Sequence, residues 1–157
     1  MFQNPTVRLT PMKPDAVPSA FSYLRAVEAG ETEAAAGFAS ADPGIHWQLV
    51  DVAKRIIVPV TALCGTDPDP CDDSLALPAV GRVLVTTLGH WASQARSNAA
   101  GGIAYVVIAF VREVLAQEEC GETVAGVLRQ LEAVGVGQAL DAHPAPAGAH
   151  PVRLTIA

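Results

Sequence analysis

Residues 103–117 read IAYVVIAFVREVLAQ, and this stretch decides the fold. From Ile103 to Leu115 apolar side chains occupy nearly every position, so a helix formed here has almost no polar face. A helix of that kind belongs in the middle of a bundle or in an interface between subunits. The segment 105–111 is also rich in β-branched and aromatic residues, which would suit a buried strand. Its continuation to residue 119 without a turn signal favours the helix.

A second strong helix is predicted over residues 43–64. Asp42 can accept hydrogen bonds from the free N–H groups at its start, and Pro43 suits the first helical position. One face carries apolar side chains at helical spacing: Leu49, Ala53, Ile56, Ile57, Val60 and Leu63. Pro59 lies inside this helix, where its missing N–H predicts a kink or a break.

A third strong helix is predicted over residues 79–97, after a loop at 66–78 that contains three prolines and four aspartates. Its expected inner face comprises Val80, Val83, Leu84, Thr87, Leu88, Trp91 and Ala95. The helices near 43–64, 79–97 and 103–118 are expected to form the core.

Shorter helices are predicted over 18–29 and 122–134, which stop at Gly30 and Gly135, and the segment 31–38 has a weaker helical pattern. These patterns predict a mainly α domain of about five helices, orthogonal or bundle-like. The length suits a single domain over 1–157. Its expected parts are an extended segment at 1–17, a helical core at 18–135 and a proline-rich tail at 136–157.

The two ends of the chain leave short strands open as an alternative. The tetrapeptide Val-Arg-Leu-Thr occurs at 7–10 and again at 152–155, and two such strands could pair. The tail could also form a hairpin between 138–143 and 152–156, or be disordered.

The composition limits the classes of partner. Half of the 157 residues are apolar and 17% are charged, so some apolar surface is expected to remain for a partner or a second copy of the chain. Ten basic residues are scattered among sixteen acidic ones, for a net charge of −6, which disfavours nucleic-acid binding. No signal-peptide pattern is visible, and the apolar run 99–111 is too short to span a bilayer. A cytoplasmic protein without membrane contact is expected.

Motifs for catalysis or metal binding are absent from the sequence. No nucleophile signature, glycine-rich phosphate loop or zinc spacing occurs. Cys64 and Cys71 could pair in an oxidising compartment, whereas in the cytosol they and Cys120 should stay reduced. The acidic loop 67–73 lacks the glycine and the glutamate of a calcium-binding EF-hand loop and is interpreted as a solvated loop. No cofactor and no metal are therefore expected, and the protein is more simply explained as a non-enzyme.

The dipeptide His-Trp occurs twice, at His46-Trp47 and His90-Trp91. If the two pairs converge, they could line a pocket for a ligand. The simpler interpretation is that each pair lies at a helix border, with its apolar body inside and its polar tip in water. That interpretation is favoured because no acidic residue lies three positions from either histidine, the spacing of a Glu-x-x-His metal motif.

Residues 123–136, read with the possible hairpin ending at 152–155, resemble the recognition helix and wing of winged-helix regulators. The resemblance covers roughly a quarter of the chain and implies a DNA-binding transcriptional regulator. Arg129 is the one basic residue in the presumed recognition helix, where phosphate and base contacts need several donors. Such a shape could instead serve dimerisation or protein binding.

The sequence therefore favours a non-enzymatic binding or regulatory protein that acts through protein–protein contacts as a homo-oligomer, such as a homodimer. Tyr105, Ile108 and Phe110 are the predicted interface residues, because the helix that carries them is apolar on every side. Two alternatives stay open. One is a small enzyme or ligand-binding bundle with the His-Trp pocket, and the other is the winged-helix regulator.

Overall fold

A computed structural model describes residues 9–63, 72–116 and 121–145, and within them the protein is helical without strands. This confirms the mainly α fold. The helices are α1 (Ala16–Glu28), α2 (Thr32–Ala41), α3 (Ile45–Leu63), α4 (Asp72–Ala95), α5 (Ala100–Phe110) and α6 (Val124–Ala142). A 3-10 turn, Arg96–Ala99, joins α4 to α5, and a π-helical turn, Val111–Leu115, ends α5.

Helix α5 lies in the middle of the molecule, as its apolar sequence predicts. Five of its side chains and that of the adjoining turn are buried: Ala100, Ile103, Ala104, Val107, Ile108 and Val111. The helix packs against α1 and α3, and α1 also packs against α6. Burial of α5 on two sides explains why its sequence lacks a polar face. The alternative of a buried strand at 105–111 is wrong.

Helix α3 begins at Ile45, two residues later than predicted, and the Asp42 side chain accepts hydrogen bonds at its start as the sequence predicts. The Asp42 carboxylate accepts a hydrogen bond from the Gly44 N–H at 2.8 Å and another from the Gln48 side chain. The Asp42 carbonyl accepts from the Ile45 N–H at 3.1 Å. Asp42 therefore satisfies donors that the first helical turn leaves free.

We expect Asp42→Ala to lower the free energy of unfolding by about 1 kcal/mol, because the substitution leaves the Gly44 N–H and the Gln48 side-chain amide without their acceptor. Urea denaturation followed by circular dichroism measures the loss. Asp42→Asn is the matched control, since asparagine caps helices about as well as aspartate does. Equal stability of Asp42→Ala and the wild type would show that the cap contributes nothing.

Two prolines lie inside helices without ending them. Helix α3 continues through Pro59 to Leu63, so the predicted break is wrong. Helix α4 begins at Asp72 and contains Pro78, so the predicted loop over 66–78 ends earlier than expected.

The face of α4 that packs against α3 differs from the predicted one. The buried positions are Gly81, Val85, Leu88 and Ala92. Of the seven residues predicted for the inner face, only Leu88 is buried, while Val80, Val83 and Trp91 are exposed. The reason is close helix approach: a Cβ atom on Gly81 would lie 2.2 Å from the Thr61 hydroxyl oxygen of α3. A small residue here lets the backbones of α3 and α4 come together.

Helix α6 is longer than predicted. Thr123 caps it, since its hydroxyl accepts from the Gly126 N–H at 3.1 Å. The helix passes through Gly135 to Ala142, so the predicted stop at Gly135 and the boundary of the core at residue 135 are wrong. A Cβ atom on Gly135 would lie 3.1 Å from Val17 of α1, so this glycine serves close packing rather than termination.

The predicted terminal strands are only partly testable. Residues 138–142 belong to α6, so the first strand of the tail hairpin is wrong. Its second strand at 152–156 and the repeat at 152–155 lie outside the described residues. Of the repeat at 7–10, only residues 9 and 10 are described, and they are not in a strand.

Candidate functional site

The first His-Trp pair lies at the start of α3. The His46 side chain is only 6% exposed, and its Nδ1 atom is buried without a hydrogen-bond partner. The Trp47 indole is about half exposed, and its ring centroid lies 5.6 Å from that of His46. The first pair therefore consists of a buried histidine, His46, and a half-exposed tryptophan, Trp47, at the start of one helix.

The second pair lies near the C-terminal end of α4. His90 is exposed, and a hydrogen bond of 2.9 Å joins its Nε2 to the side-chain amide of Gln94. The Trp91 indole lies over Gly102 of α5, so closely that a Cβ atom there would be 2.0 Å from the ring. Trp91 thus connects the end of α4 to the start of α5.

Among the described residues the two pairs make no direct ring contact with each other. Three open cavities have described linings, and none includes His46, Trp47, His90 or Trp91. The ligand pocket proposed for these four residues therefore stays a prediction without support from their placement.

The three cavities offer little chemistry. Their volumes are about 300, 70 and 370 Å³. The first lies between Arg112 and the start of α6, the second between α1, α3 and α6, and the third beside Arg25 and α2. Arg25 is already paired with Glu132 and bonded to Ser22. Burial raises the pKa of the Tyr23 hydroxyl, which keeps that group neutral near pH 7.

The part of the chain that the structure describes contains no candidate metal site. No group of three histidine, cysteine, aspartate or glutamate side chains is close enough there to hold an ion. The three cysteines and residues 67–71 of the acidic loop lie outside the described residues. The expected absence of a metal stays a prediction for them.

The most distinctive feature of the surface is the outer side of α4. Four large apolar side chains are exposed: Leu77 by 40%, Val80 by 59%, Val83 by 67% and Trp91 by 41%. Between residues 74 and 95, α4 carries a single formally charged residue, Arg82. At helical spacing Arg82 lies on the side opposite to Val80 and Trp91. A surface helix normally places charged residues on its solvent side, and this one does not.

Four exposed positions on this side of α4, together with the half-buried Leu84, have the spacing of a helix-packing seam. Positions 77, 80, 84, 87 and 91 are separated alternately by three and four residues, as in the a and d positions of a heptad. The adjacent stripe at 81, 85, 88 and 92 has the same spacing and is covered by α3. Helix α4 therefore presents two packing stripes, and the described residues cover only one of them.

The exposed stripe continues onto α5. Trp91 lies over Gly102, and Tyr105, one helical turn further along the same side of α5, is 66% exposed. We define the α4–α5 face as Leu77, Val80, Val83, Leu84, Thr87, Trp91 and Tyr105. Scattered exposed apolar residues are ordinary in proteins, but a contiguous apolar surface marks an interaction site.

The predicted interface residues divide between this face and the core. Tyr105 belongs to the face, Ile108 is buried in the core, and Phe110 is partly buried against it. The sequence pattern predicts Val80, Val83 and Trp91 on the inner side of α4 and Leu77 in the loop before it. The scarcity of charges from residue 74 to residue 95 was the signal that could have identified the face.

No protein family, curated protein or solved structure matches the chain. The structure does not support the resemblance to winged-helix regulators, since residues 138–142, where the wing would begin, are helical. The argument about function therefore depends on the chain's own residues.

One helical run meets the length and composition of a membrane span. The run Ala76–Leu115 contains an 18-residue window of mean hydropathy 1.4, of which 39% is buried. Core helices of soluble proteins meet the same criterion. Arg96 bends the run between α4 and α5, with a left-handed φ of 52°. The absence of membrane contact stays a prediction, and binding to lipid vesicles tests it.

Proposed function

We propose that the protein is a non-enzymatic binding protein that acts through protein–protein contacts, and that it does so as a homodimer joined through the α4–α5 face. The observation that carries this proposal is the uncharged heptad stripe on α4, of which Leu77, Val80, Thr87 and Trp91 are exposed among the described residues. A stripe of this spacing fits the side chains of a second helix between its own.

The size and composition of the face suit a dimer. Residues 77 to 91 extend over about 21 Å of helix at 1.5 Å per residue. Full burial of each large aliphatic side chain contributes about 2 kcal/mol. Trp91 and Tyr105 add the aromatic side chains that most often dominate the binding energy of interfaces.

A second copy fits the face better than an unlike partner or a lipid surface. Charged residues beside a helix-packing seam set the choice of partner, and between residues 76 and 94 the one charged residue, Arg82, lies on the opposite side of α4 from this seam. For the same reason two copies meet there without like-charge repulsion, although each chain carries a net charge of −6. An anionic membrane surface attracts lysine and arginine clusters, which the face lacks.

The dimer can be followed through Trp91, since the chain has only two tryptophans. Trp47→Phe leaves Trp91 as the sole indole. We expect its emission to shift to longer wavelength on dilution from about 100 µM to about 10 nM, as the dimer separates and water reaches the ring. Trp91→Phe is the matched control, because its remaining indole, Trp47, lies on α3 outside the face. We expect its emission to be independent of concentration.

Emission from Trp91 that stays constant over the whole concentration range overturns the proposal. So does a shift to shorter wavelength that needs phosphatidylcholine–phosphatidylserine vesicles and does not depend on protein concentration. The latter result would assign the face to a membrane surface.

A further inference from the structure

We propose that Gly102 is a positioning residue for the dimer. By leaving room for the Trp91 indole against α5, it fixes that side chain on the α4–α5 face before the second copy binds. This inference rests on the proposed function, since it concerns the same interface. It also explains why a glycine occupies the first turn of α5.

The contact between Trp91 and Gly102 is made by the six-membered ring of the indole. A Cβ atom on Gly102 would lie 2.7 Å from the ring carbon Cζ3 and 2.9 Å from Cζ2, and closer still to Cη2. Carbon atoms pack at about 3.5–4.0 Å, so these distances leave no room for the Cβ atom. Any side chain at residue 102 would therefore push the ring away from α5, and only glycine leaves it in place.

The neighbouring Gly101 shows that this constraint is local. The nearest atom to a Cβ atom on Gly101 is the Tyr23 hydroxyl oxygen at 3.8 Å, which is an ordinary contact. At Gly102 the three nearest atoms all belong to Trp91. Glycine inside a helix is less favourable than alanine, so the first turn of α5 is weaker than it would be with alanine at residue 102. The close neighbour that excludes alanine there is Trp91.

The side chain that Gly102 accommodates is a surface residue. Trp91 is 41% exposed, although one edge of its indole lies against the backbone of α5. It stands at the last position of the exposed heptad stripe, and Tyr105 follows along the same side of α5. The glycine therefore serves the placement of a side chain on the α4–α5 face.

A side chain held in place before binding makes the interface tighter. Tryptophan is among the residues that most often dominate the binding energy of an interface. An indole that rotates freely loses this freedom when a partner covers it, and the loss weakens binding. Trp91 loses little, because α5 already restricts its ring in the single chain. The second copy therefore meets a rigid aromatic surface at one end of the seam.

Gly102→Ala tests the placement of the ring in the separated chains. In the Trp47→Phe chain at about 10 nM, the added methyl group should move the Trp91 ring away from α5. We expect the rate constant for quenching of its emission by acrylamide to rise about twofold, and its emission anisotropy to fall. Unchanged quenching overturns the inference.

Gly89→Ala is the matched control for a glycine replaced within a helix. The nearest atom to a Cβ atom on Gly89 is 3.9 Å away, on Val50, and at helical spacing Gly89 lies on the side of α4 opposite to Trp91. The Trp91 emission of this variant should be quenched as in the parent chain.

Sedimentation equilibrium then tests the effect on the dimer. Gly102→Ala should weaken the dimer about tenfold, because a mobile Trp91 must be ordered again on binding. Gly89→Ala should stay within about threefold of the wild type. Circular dichroism checks that both variants keep their helical content. A Gly102→Ala dimer as tight as that of the wild type overturns the inference and leaves self-association intact.

Trp91→Leu separates a role through the ring from a direct role of Gly102. A leucine side chain ends well short of the positions of the three ring carbons, so Gly102→Ala has no ring to displace in this background. The double variant should bind its copy within about threefold of Trp91→Leu alone. An equal, tenfold loss in both backgrounds would show that Gly102 acts without Trp91, and overturns the inference. A wild type that is monomeric at every concentration instead refutes the proposed function, and the inference with it.

Discussion

Gly81→Ala is expected to lower the free energy of unfolding by about 2 kcal/mol, although alanine is the better helix former. The added Cβ atom would lie 2.2 Å from the Thr61 hydroxyl oxygen and 3.0 Å from the Thr61 Cβ. Thr61 is buried and cannot move away freely, because its hydroxyl donates to the Ile57 carbonyl at 2.8 Å. Helices α3 and α4 would have to separate.

Gly89→Ala supplies the matched control on the same helix. The nearest atom to a Cβ at that position is 3.9 Å away, on Val50. Alanine there meets ordinary contacts and should stabilise the protein by up to about 1 kcal/mol through its helix propensity. Urea denaturation of both variants, and of Gly81→Ala combined with Thr61→Ala, measures the difference. The combination should recover part of the loss, as expected for residues in direct contact.

This result bears directly on function, because the orientation of α4 decides which stripe is covered. If α3 packed instead against the stripe at 80, 84, 87 and 91, Gly81 would lie away from the contact. Gly81→Ala would then stabilise the protein, as Gly89→Ala does. That outcome would remove the exposed face on which the proposed dimer depends.

Val80→Glu combined with Val83→Glu is expected to weaken the dimer by about a thousandfold or more. The pair of substitutions places one carboxylate in the seam and one beside it on the α4–α5 face of each copy, and like charges brought together across an interface cost several kcal/mol. The monomer should be little affected, since both valine side chains are more than half exposed. Thermal unfolding at low protein concentration checks that the fold is retained.

Thr86→Glu combined with Ser93→Glu gives the control for charge. Both residues are exposed on α4, and at helical spacing they lie on the side opposite to the α4–α5 face. The control therefore adds the same charge to the same helix without entering the seam. We expect its dimer affinity to stay within about threefold of the wild type.

Much of the fold could be predicted from the sequence because some patterns have one physical interpretation. The Asp42-Pro43 start of α3 and the buried apolar stretch of α5 are of this kind. The ends of α4 and α6 were misplaced because a proline or a glycine has more than one role. Pro78 is tolerated near the start of a helix, and Gly135 makes room for Val17 instead of ending α6.

The interaction face was harder to predict because periodicity records spacing, not which side is covered. Helix α4 has two apolar stripes, and the sequence analysis chose the one with the larger side chains as the inner face. The fold buries the stripe with the smaller residues, since Gly81 allows α3 to approach closely. Tyr105 and Ile108 could not be told apart for a related reason: a helix apolar on every side gives no indication of which side faces out.

Sedimentation equilibrium of three proteins tests the central claim most directly: the wild type, Val80→Glu with Val83→Glu, and Thr86→Glu with Ser93→Glu. The account predicts a concentration-dependent dimer for the wild type and for the Thr86–Ser93 variant, and a monomer for the Val80–Val83 variant at every concentration. A monomeric wild type, or a Val80–Val83 variant that dimerises as tightly as the wild type, would contradict the claim that α4 joins two copies of the chain.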